Sequence, residues 1–469
     1  MSHLRLGLIA LLLVPLGTAR PVCHAAELPA NAAYAPAATI VRLPDPRIVA
    51  PVVDSLGGPH PVGEYLAVAL AQNPAIQAAR HQVAAMAYRV PQAASLQDPM
   101  LNVTAFAEPV QTAAGAQRLS LGMTQKFPWR GKLATAAAMA EAETTAARAR
   151  LAAAELDVVA QVKRAYYELY FVQTALRITT QDRQLLEDLT GVAESRYRTG
   201  DVSQQDVLRS QLEVSNLDRD LIQLRQELIS AQARLATLMH ASPETPVRTL
   251  EELPPEQIPA DLELLYQQAI HARPELHAQL AQTMRNRRNV QLAELAYYPD
   301  PMLGVTWIGT EASGLSMVAN GRDPVLVGVG LNLPIYRKRL AAGVREAEAQ
   351  VLAGARQYDA LRDTTMQEVK DLFTRAKSQQ EMADLFRAEI LPRAEQTFRV
   401  SIRAYQVGDV SFLQLIDNWR QLLRFQLALH RVETQLRQTI ATLERTVGGA
   451  MPVAQAETVP RPAAEPARP

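Results

Sequence analysis

An internal repeat of about two hundred residues is the feature that most limits how this chain can fold. Four short motifs recur in the same order, with offsets that grow slowly from 200 to 208 residues. The pairs are Asn73-Pro74 with Arg273-Pro274, Asp98-Pro99-Met100 with Asp300-Pro301-Met302, Phe127-Pro128 with Leu333-Pro334, and Tyr197-Arg-Thr-Gly-Asp-Val-Ser203 with Tyr405-Gln-Val-Gly-Asp-Val-Ser411. Chance can supply one such pair, but not four in register. The folded body is therefore predicted to be a tandem duplication, with halves over residues 62–240 and 261–447 and a Pro-rich linker over 241–260.

The first 26 residues have the layout of a secretory signal peptide: a short basic start, an apolar run from Leu6 to Leu16, and small residues after it. Cleavage after Ala25 or Ala26 would leave a mature chain without its single cysteine, Cys23. Lipidation of Cys23 is the open alternative. Against it, Arg20-Pro21-Val22 precedes the cysteine where a lipidation motif has a small residue.

Composition excludes several classes of protein. Residues 27–61 and 448–469 are rich in Pro and Ala without a helical period, so both are expected outside the folded body. Lys and Arg together balance Asp and Glu at 48 each, which argues against nucleic-acid binding by bulk charge. No later segment approaches the roughly 18 apolar residues of a membrane-spanning helix, which excludes a multi-span inner-membrane transporter.

Each half is predicted to run helix, strand, strand, long helix, tight turn, helix. The strands alternate apolar residues with small or polar ones, and the apolar sets are Leu101, Val103, Ala105 and Ala107; Leu119, Leu121 and Met123; Leu303, Val305 and Trp307; and Val325, Val327, Val329 and Leu331. Alternating segments of about nine or ten residues are typical of a transmembrane β-barrel. A soluble sandwich is the alternative, but it would need more than four strands to enclose a core.

A proline stands at each crossing between helix and strand: Pro99, Pro128, Pro301 and Pro334. Proline is tolerated at the first turn of a helix and at the first residue of a strand, so it fits these positions. Trp129 with Arg130 and Lys132, and Tyr336 with Arg337–Arg339, follow two of the prolines. These residues match an interfacial belt in which amines extend towards the membrane surface.

A very long helix is predicted after each hairpin, over about 129–197 and about 335–405, with the second interrupted at Pro392. The first would be on the order of 100 Å long. Its heptad-like apolar residues favour coiled-coil packing, and they are Leu169, Leu176, Leu185, Leu189 and Val192. The returning helices are predicted over 204–239 and 412–447. The fold class is thus mainly α with a small β part: long helical hairpins forming an α-barrel, plus four strands per chain.

Four strands cannot close a barrel, and an open sheet edge is not viable in lipid. Closure must therefore come from identical copies. Two copies would give about eight strands and a filled bore, whereas three would give about twelve and leave a water channel. A monomeric periplasmic coiled coil bearing two hairpins is the alternative.

No catalytic or cofactor motif is present in the sequence. There is no nucleophile elbow, no P-loop and no HExxH motif, and the spacing of six residues between His271 and His277 does not place them on one helical face. The chain is expected to be no enzyme and to bind no resident metal or cofactor.

These features together resemble the TolC-like outer-membrane efflux factor family. The resemblance covers about Val62 to Val447 and is carried by the duplicated halves, the Gln125-Lys-Phe-Pro-Trp-Arg-Gly-Lys132 junction and the twin Tyr-x-x-Gly-Asp-Val-Ser turns. It implies a homotrimer with a twelve-stranded barrel in outer-membrane lipid and a twelve-helix tube in the periplasm. Family members pass substrates from an inner-membrane pump, through a periplasmic adaptor, to the exterior.

Function is less narrowly defined by this resemblance than fold. The sequence of this junction is similar to that of family branches that partner heavy-metal pumps, although it does not identify the transported substrate. Two alternatives remain open: a structural spacer of the envelope, and the duct of a type I protein secretion system.

The two repeated turns are the candidate site. Gly200 and Gly408 are expected to adopt positive φ, and Ser203 and Ser411 to cap the returning helices. Asp206 and Gln414 would complete capping boxes. In the family, these turns form the periplasmic end of the tube, so the resemblance implies that the adaptor contacts eight residues: Gly200, Asp201, Val202, Ser203, Gly408, Asp409, Val410 and Ser411.

The resemblance also implies a periplasmic gate near the turns. A Tyr at the position of Tyr405 pairs with an Asp at that of Asp206 to hold the entrance closed. Acids corresponding to Gln414 and Asp417 form a ring in the pore, and this sequence keeps only Asp417. Val410 stands where some members have a basic gate residue, so that part of the latch is expected to be missing.

Overall fold

A computed structural model describes residues 58–200, 202–254, 258 and 261–451. The predicted signal peptide, most of the predicted N-terminal arm, part of the linker and the tail beyond Met451 lie outside these residues. In the first half of the chain the elements are β1 (Pro59–His60), α1 (Val62–Gln72), α2 (Pro74–Ala94), β2 (Met100–Thr112), β3 (Gly115–Lys126), α3 (Lys132–Arg198), α4 (Gln204–Leu238) and β4 (Arg248–Thr249).

The second half repeats this order of helices and hairpin. Its elements are α5 (Leu262–Ala272), α6 (Pro274–Leu295), β5 (Pro301–Thr310), β6 (Val325–Leu331), α7 (Arg337–Leu385), a π-helical turn (Phe386–Ile390), α8 (Leu391–Val407) and α9 (Phe412–Val447). The described residues are therefore mainly helical with a small sheet, as the sequence predicts.

The helix predicted before each hairpin is divided in two. The divisions fall at Asn73 and Arg273, whose ψ angles of 124° and 117° are extended rather than helical. Each is followed by a proline, and the ring of a proline disfavours helical geometry in the preceding residue. The Asn73 side chain then accepts a hydrogen bond from the Ala75 N–H, which caps α2.

The long helices largely follow the prediction. Helix α3 runs for 67 residues without a break, or about 100 Å. The interruption expected at Pro392 is a π-helical turn directly before it, and the helix continues as α8. Proline removes one backbone donor and crowds the preceding turn, and a widened turn accommodates it. Among the described residues, no helix combines the length and apolar character needed to cross a bilayer.

The two largest apolar clusters among the described residues lie between the helices. One joins α1, α3 and α4 through Tyr65, Tyr166 and Leu235, all fully buried. The other lies beside the two turns and includes Phe412 and Trp419. Along the part of α3 that carries the first cluster, charged side chains pair α3 with α9: Asp157 with Arg445, Lys163 with Glu444, and Glu168 with Arg431.

The ends of the folded body extend beyond the predicted limits. Pro59 and His60, in the predicted arm, form a short parallel pair with Arg248 and Thr249 of the predicted linker. The Tyr65 hydroxyl donates to the Arg248 carbonyl at 2.7 Å, which fixes this pair to α1. In the predicted tail, the Ala450 carbonyl accepts a bond from the Gln268 side chain.

The four longer strands form one antiparallel sheet in the order β2-β3-β5-β6. Its register puts Val103 opposite Leu121, Leu121 opposite Trp307, and Trp307 opposite Val325. Because side chains in one cross-strand row share a face, the predicted apolar sets lie together on one face of the sheet. Strands β2 and β6 are its two edges.

At the first junction Trp129 and Arg130 are exposed, whereas Lys132 packs inward. The rings of Trp129 and Tyr298 stack with centroids 5.3 Å apart. Lys132 does not extend freely to an interface: only 14% of its side chain is exposed, and its Nζ lies 2.6 Å from the buried Asp300 carboxylate. The prediction for Lys132 was wrong, because Asp300 directly precedes β5, and the pairing of β5 with β3 brings this acid within reach of Lys132. At the second junction, Tyr336–Arg339 are exposed.

Candidate functional site at the helix turns

The glycines and serines of the two repeated turns have the local geometry that the sequence predicts, but Ser203 caps the residue before Asp206 rather than Asp206 itself, unlike the predicted capping box. Gly200 and Gly408 have φ angles of 83° and 91°, a left-handed conformation that glycine adopts without a Cβ clash. The Ser203 hydroxyl accepts a hydrogen bond from the Gln205 N–H at 2.9 Å. The Ser411 hydroxyl accepts one from the Gln414 N–H at 3.4 Å. The positive φ angles account for the glycines and the capping bonds for the serines. Folding of the turns is therefore enough to explain these residues, without a binding role.

Most of the predicted adaptor-contact residues are accessible. Gly200, Ser203, Gly408, Asp409 and Ser411 are exposed, whereas Val202 and Val410 are half-buried. Asp201 lies outside the described residues. The accessible turns can present backbone and small side chains to a partner, and their role as a contact surface stays a prediction.

Tyr405 is buried at the turn end of α8, with its ring centroid 5.5 Å from that of Phe412. Within the described part of the chain its hydroxyl is buried without a hydrogen-bond partner. Asp206 is half-buried on α4 and close enough for its charge to act on the phenol. Burial raises the pKa of Tyr405, the Arg196 guanidinium lowers it, and the Asp206 carboxylate raises it, with a net increase.

Arg196, in the last turn of α3, is a gate candidate that sequence reasoning missed. Its Nη1 donates a hydrogen bond to the Tyr405 carbonyl, and its guanidinium carbon lies 5.0 Å from the centroid of the Tyr405 ring. A Cβ at Gly408 would lie 3.7 Å from Nη2 of the same side chain. Arg196 thus joins the turn of the first half to that of the second by a charge-assisted hydrogen bond and a cation–π contact.

Gln414 and Asp417 are exposed on the same face of α9, three residues apart. Asp417 pairs with Nη1 of Arg420 at 3.3 Å. Arg420 also binds the buried Glu213 of α4, with 3.1 Å between Nε and Oε2. The pair with Arg420 partly neutralises Asp417, yet more than half of the Asp417 side chain stays accessible to solvent.

A polar contact between α3 and α9 lies behind the turns. The indole N–H of the buried Trp419 donates to the Asp182 carboxylate at 2.8 Å. Burial raises the pKa of Asp182, and the bond from Trp419 lowers it by less. Neither residue stood out in the sequence, because their contact joins positions far apart in the chain.

Known proteins with related sequences share this architecture. The sequence profile described as "outer membrane efflux protein" matches residues 66–240 and 265–449. The chain is 25% identical over 326 residues to the cobalt-zinc-cadmium resistance protein CzcC of Cupriavidus metallidurans, covering 68% of this chain and 74% of CzcC. It is 24% identical over 313 residues to the pyoverdine export outer membrane protein OpmQ of Pseudomonas putida, covering 63% of this chain and 62% of OpmQ.

Among solved structures, CusC matches with a TM-score of 0.71 at 18% sequence identity. The match covers 85% of this chain and 93% of CusC. At this identity the likeness concerns the fold: the long helices and the small sheet described above.

Proposed function

The chain belongs to the outer membrane efflux protein family, and from that premise we propose that it is the outer-membrane channel of a tripartite efflux system. In this role it receives substrate from an inner-membrane pump and a periplasmic adaptor and passes it to the exterior. The observation that carries the proposal is the pairing of a four-stranded, two-edged sheet with helices about 100 Å long in one chain. That pairing suits a conduit that begins in a membrane and continues far beyond it.

The sheet edges support a homotrimer. Strands β2 and β6 each present one row of backbone groups that no other strand of the sheet pairs. In lipid such groups cost several kcal/mol each, so a barrel must close without edges. Joining β6 of one copy to β2 of the next closes it, and three copies would give about twelve strands around a water channel.

The helices support the same assembly. Helix α4 carries four large apolar side chains that are more than half exposed, Leu208, Leu212, Ile222 and Ile229. Helix α8 carries two others, Val400 and Val407. One pair on each helix is seven residues apart, Ile222 with Ile229 and Val400 with Val407, as expected for seams that pack against neighbouring helices. Burying these seams between copies would complete a ring of helices.

For the cargo we propose heavy-metal ions. The support is the relation to CzcC, whose name records cobalt, zinc and cadmium resistance. OpmQ, named for pyoverdine export, shows that relatives serve other small compounds as well. Deleting the gene should sensitise the native bacterium to such ions and raise their cellular content, and the plasmid-borne gene should reverse both effects. Unchanged metal content together with a lost secreted protein would instead support a type I secretion duct.

The repeated turns would dock the adaptor. Glutamate at both Val202 and Val410 should abolish export while the protein still reaches the outer membrane at normal yield. Glutamate at Val318, which is 77% exposed in the β5–β6 loop, serves as a control that should export normally. Export by the turn variant would leave the turns as folding elements only.

The gate would be formed by Tyr405 and Asp206, with Gln414 and Asp417 lining the entrance. Exposure of Gln414 and Asp417 on α9 supports a pore-facing position. Replacing Asp417 by Asn should lower cation selectivity, measured as a shift of the reversal potential in a salt gradient across a bilayer. An unchanged reversal potential would place Asp417 outside the ion path.

A further inference from the structure

Asp300 joins the two halves of the chain where helix and strand meet. One carboxylate oxygen accepts hydrogen bonds from the Trp129 N–H at 2.8 Å and from Lys132 Nζ at 2.6 Å. The other lies 3.3 Å from Lys126 Nζ. Beside it, Trp129 stacks on Tyr298. The end of β3 and the start of α3 are thereby tied to the start of β5.

The repeat maps this cluster onto a second set of residues. Asp300 corresponds to Asp98, and Tyr298 to Leu96, at the shared offset of 202 residues. Helices α3 and α7 match at an offset of 207, because the buried pairs Ala140 with Ala347 and Val162 with Val369 fall at that spacing. The counterpart of Lys132 at this offset is Arg339.

These counterparts do not meet in one chain. Asp98 precedes the edge strand β2, and Arg339 follows the opposite edge strand β6. Both side chains are exposed, and within the described residues neither has an ion-pair or hydrogen-bond partner. Leu96, the counterpart of Tyr298, is 45% exposed, and Ile335, which follows Pro334 as Trp129 follows Pro128, is 67% exposed.

We propose that Asp98 of one copy binds the basic run Arg337–Arg339 of the adjacent copy, with Arg339 as its main partner. Leu96 and Ile335 pack beside this ion pair in the place of the aromatic stack. The inference rests on the proposed trimer, in which β6 of one copy meets β2 of the next. It repeats between copies the contact that Asp300 and Lys132 make within one chain, so all junctions around the ring are closed in the same way.

Asp98 and Arg339 have opposite charges and stand beside the two edge strands, β2 and β6, that would pair between copies. The partner of each residue is therefore a second copy of this chain. Arg337 is already engaged, since its guanidinium carbon lies 5.5 Å from the centroid of the Tyr297 ring. Lys338 and Arg339 have no such contact in the described part of the chain. They are the cations free to reach across.

Charge reversal tests the pair in the full-length protein. Asp98→Lys and Arg339→Glu should each lower the temperature at which the detergent-solubilised trimer dissociates, and the double variant should recover most of the loss. Arg345→Glu, an exposed position further along α7, should leave the temperature unchanged. Additive losses in the double variant, with a stable trimer in the parent, would overturn the pairing.

Cross-linking gives a second readout that does not depend on stability. In a Cys23→Ala background, Asp98→Cys with Arg339→Cys should yield covalent dimers and trimers with a short bifunctional maleimide. Asp98→Cys with Arg345→Cys should yield few. Equal yields from both pairs would reject the inference while leaving the trimer intact, whereas a parent protein that forms no trimer would reject the proposed function itself.

Discussion

Arg196 and Tyr405 carry most of the polar contact between the two turns. The Arg196 guanidinium lies over the Tyr405 ring and donates a hydrogen bond to the Tyr405 backbone carbonyl. The Tyr405 hydroxyl is buried without a hydrogen-bond partner in the described chain. We propose that this cation serves in place of the basic gate residue that the family resemblance would put at Val410. On this proposal, closure of the entrance depends on two contributions, the hydroxyl and the guanidinium.

Replacing Arg196 by Gln should open the entrance. The change removes the charge-assisted bond and the cation–π contact, which together contribute on the order of 2 kcal/mol per chain. Single-channel conductance and antibiotic uptake are expected to rise. Arg198→Gln, an exposed change in the same helical turn, is the control.

Tyr405→Phe removes only the hydroxyl and tests its proposed pairing with an acceptor such as Asp206. It should raise conductance as well, by less than Arg196→Gln. Wild-type conductance in both variants would mean that other residues govern the entrance.

The buried carboxyl of Asp182 should make stability depend on pH. Its pKa is raised in the folded chain, so it contributes stability below its ordinary pKa of about 4 and loses that contribution as pH rises. Asp182→Asn keeps an oxygen to accept the Trp419 bond and removes the charge. The variant should be more stable than the parent at pH 7, and the difference should vanish towards pH 4.

Thermal denaturation across this pH range measures the effect. Asp188→Asn, on the exposed side of α3, should change stability little at any pH. A stability difference for Asp182→Asn that does not vary with pH would show that ionisation of Asp182 is not its cause.

At the scale of elements, periodicity in the sequence predicted most of what is observed. Alternation of apolar residues predicted the faces of the sheet, and the Gly and Ser positions predicted both turns, because these signals are local. The divided helices at Asn73 and Arg273 were missed, although each precedes a proline. The widened turn before Pro392 could not be predicted in form, since a proline in a helix permits a kink, a break or a π turn.

A charged substitution on each face of the sheet can show which face contacts lipid. Val327 is 70% exposed on the apolar face, so Val327→Arg places a cation against lipid near the middle of β6 and should cost about 2–4 kcal/mol. Gly328→Arg faces the other way, and a Cβ there meets no atom within 4 Å. Yield of folded protein in outer-membrane fractions should fall for the first variant only. Equal yields would contradict the assignment of the lipid face.

For the whole molecule, the duplication was visible in the sequence and the resemblance to TolC-like channels is confirmed by the family match. The contacts of Arg196, Asp182 and Lys132 were not predictable, because each joins elements that only the tertiary arrangement brings together. The same holds for the proposed pairing of Asp98 and Arg339 between adjacent copies, which was inferred from both the repeat and the order of the strands.

Conductance of the purified, heat-resistant oligomer in a planar lipid bilayer tests the central claim most directly. A trimeric channel closed by the turn contacts should give discrete current steps, small in the parent and larger after Arg196→Gln. Insertion of the intact trimer without current in either protein would contradict the account and favour a structural spacer of the envelope.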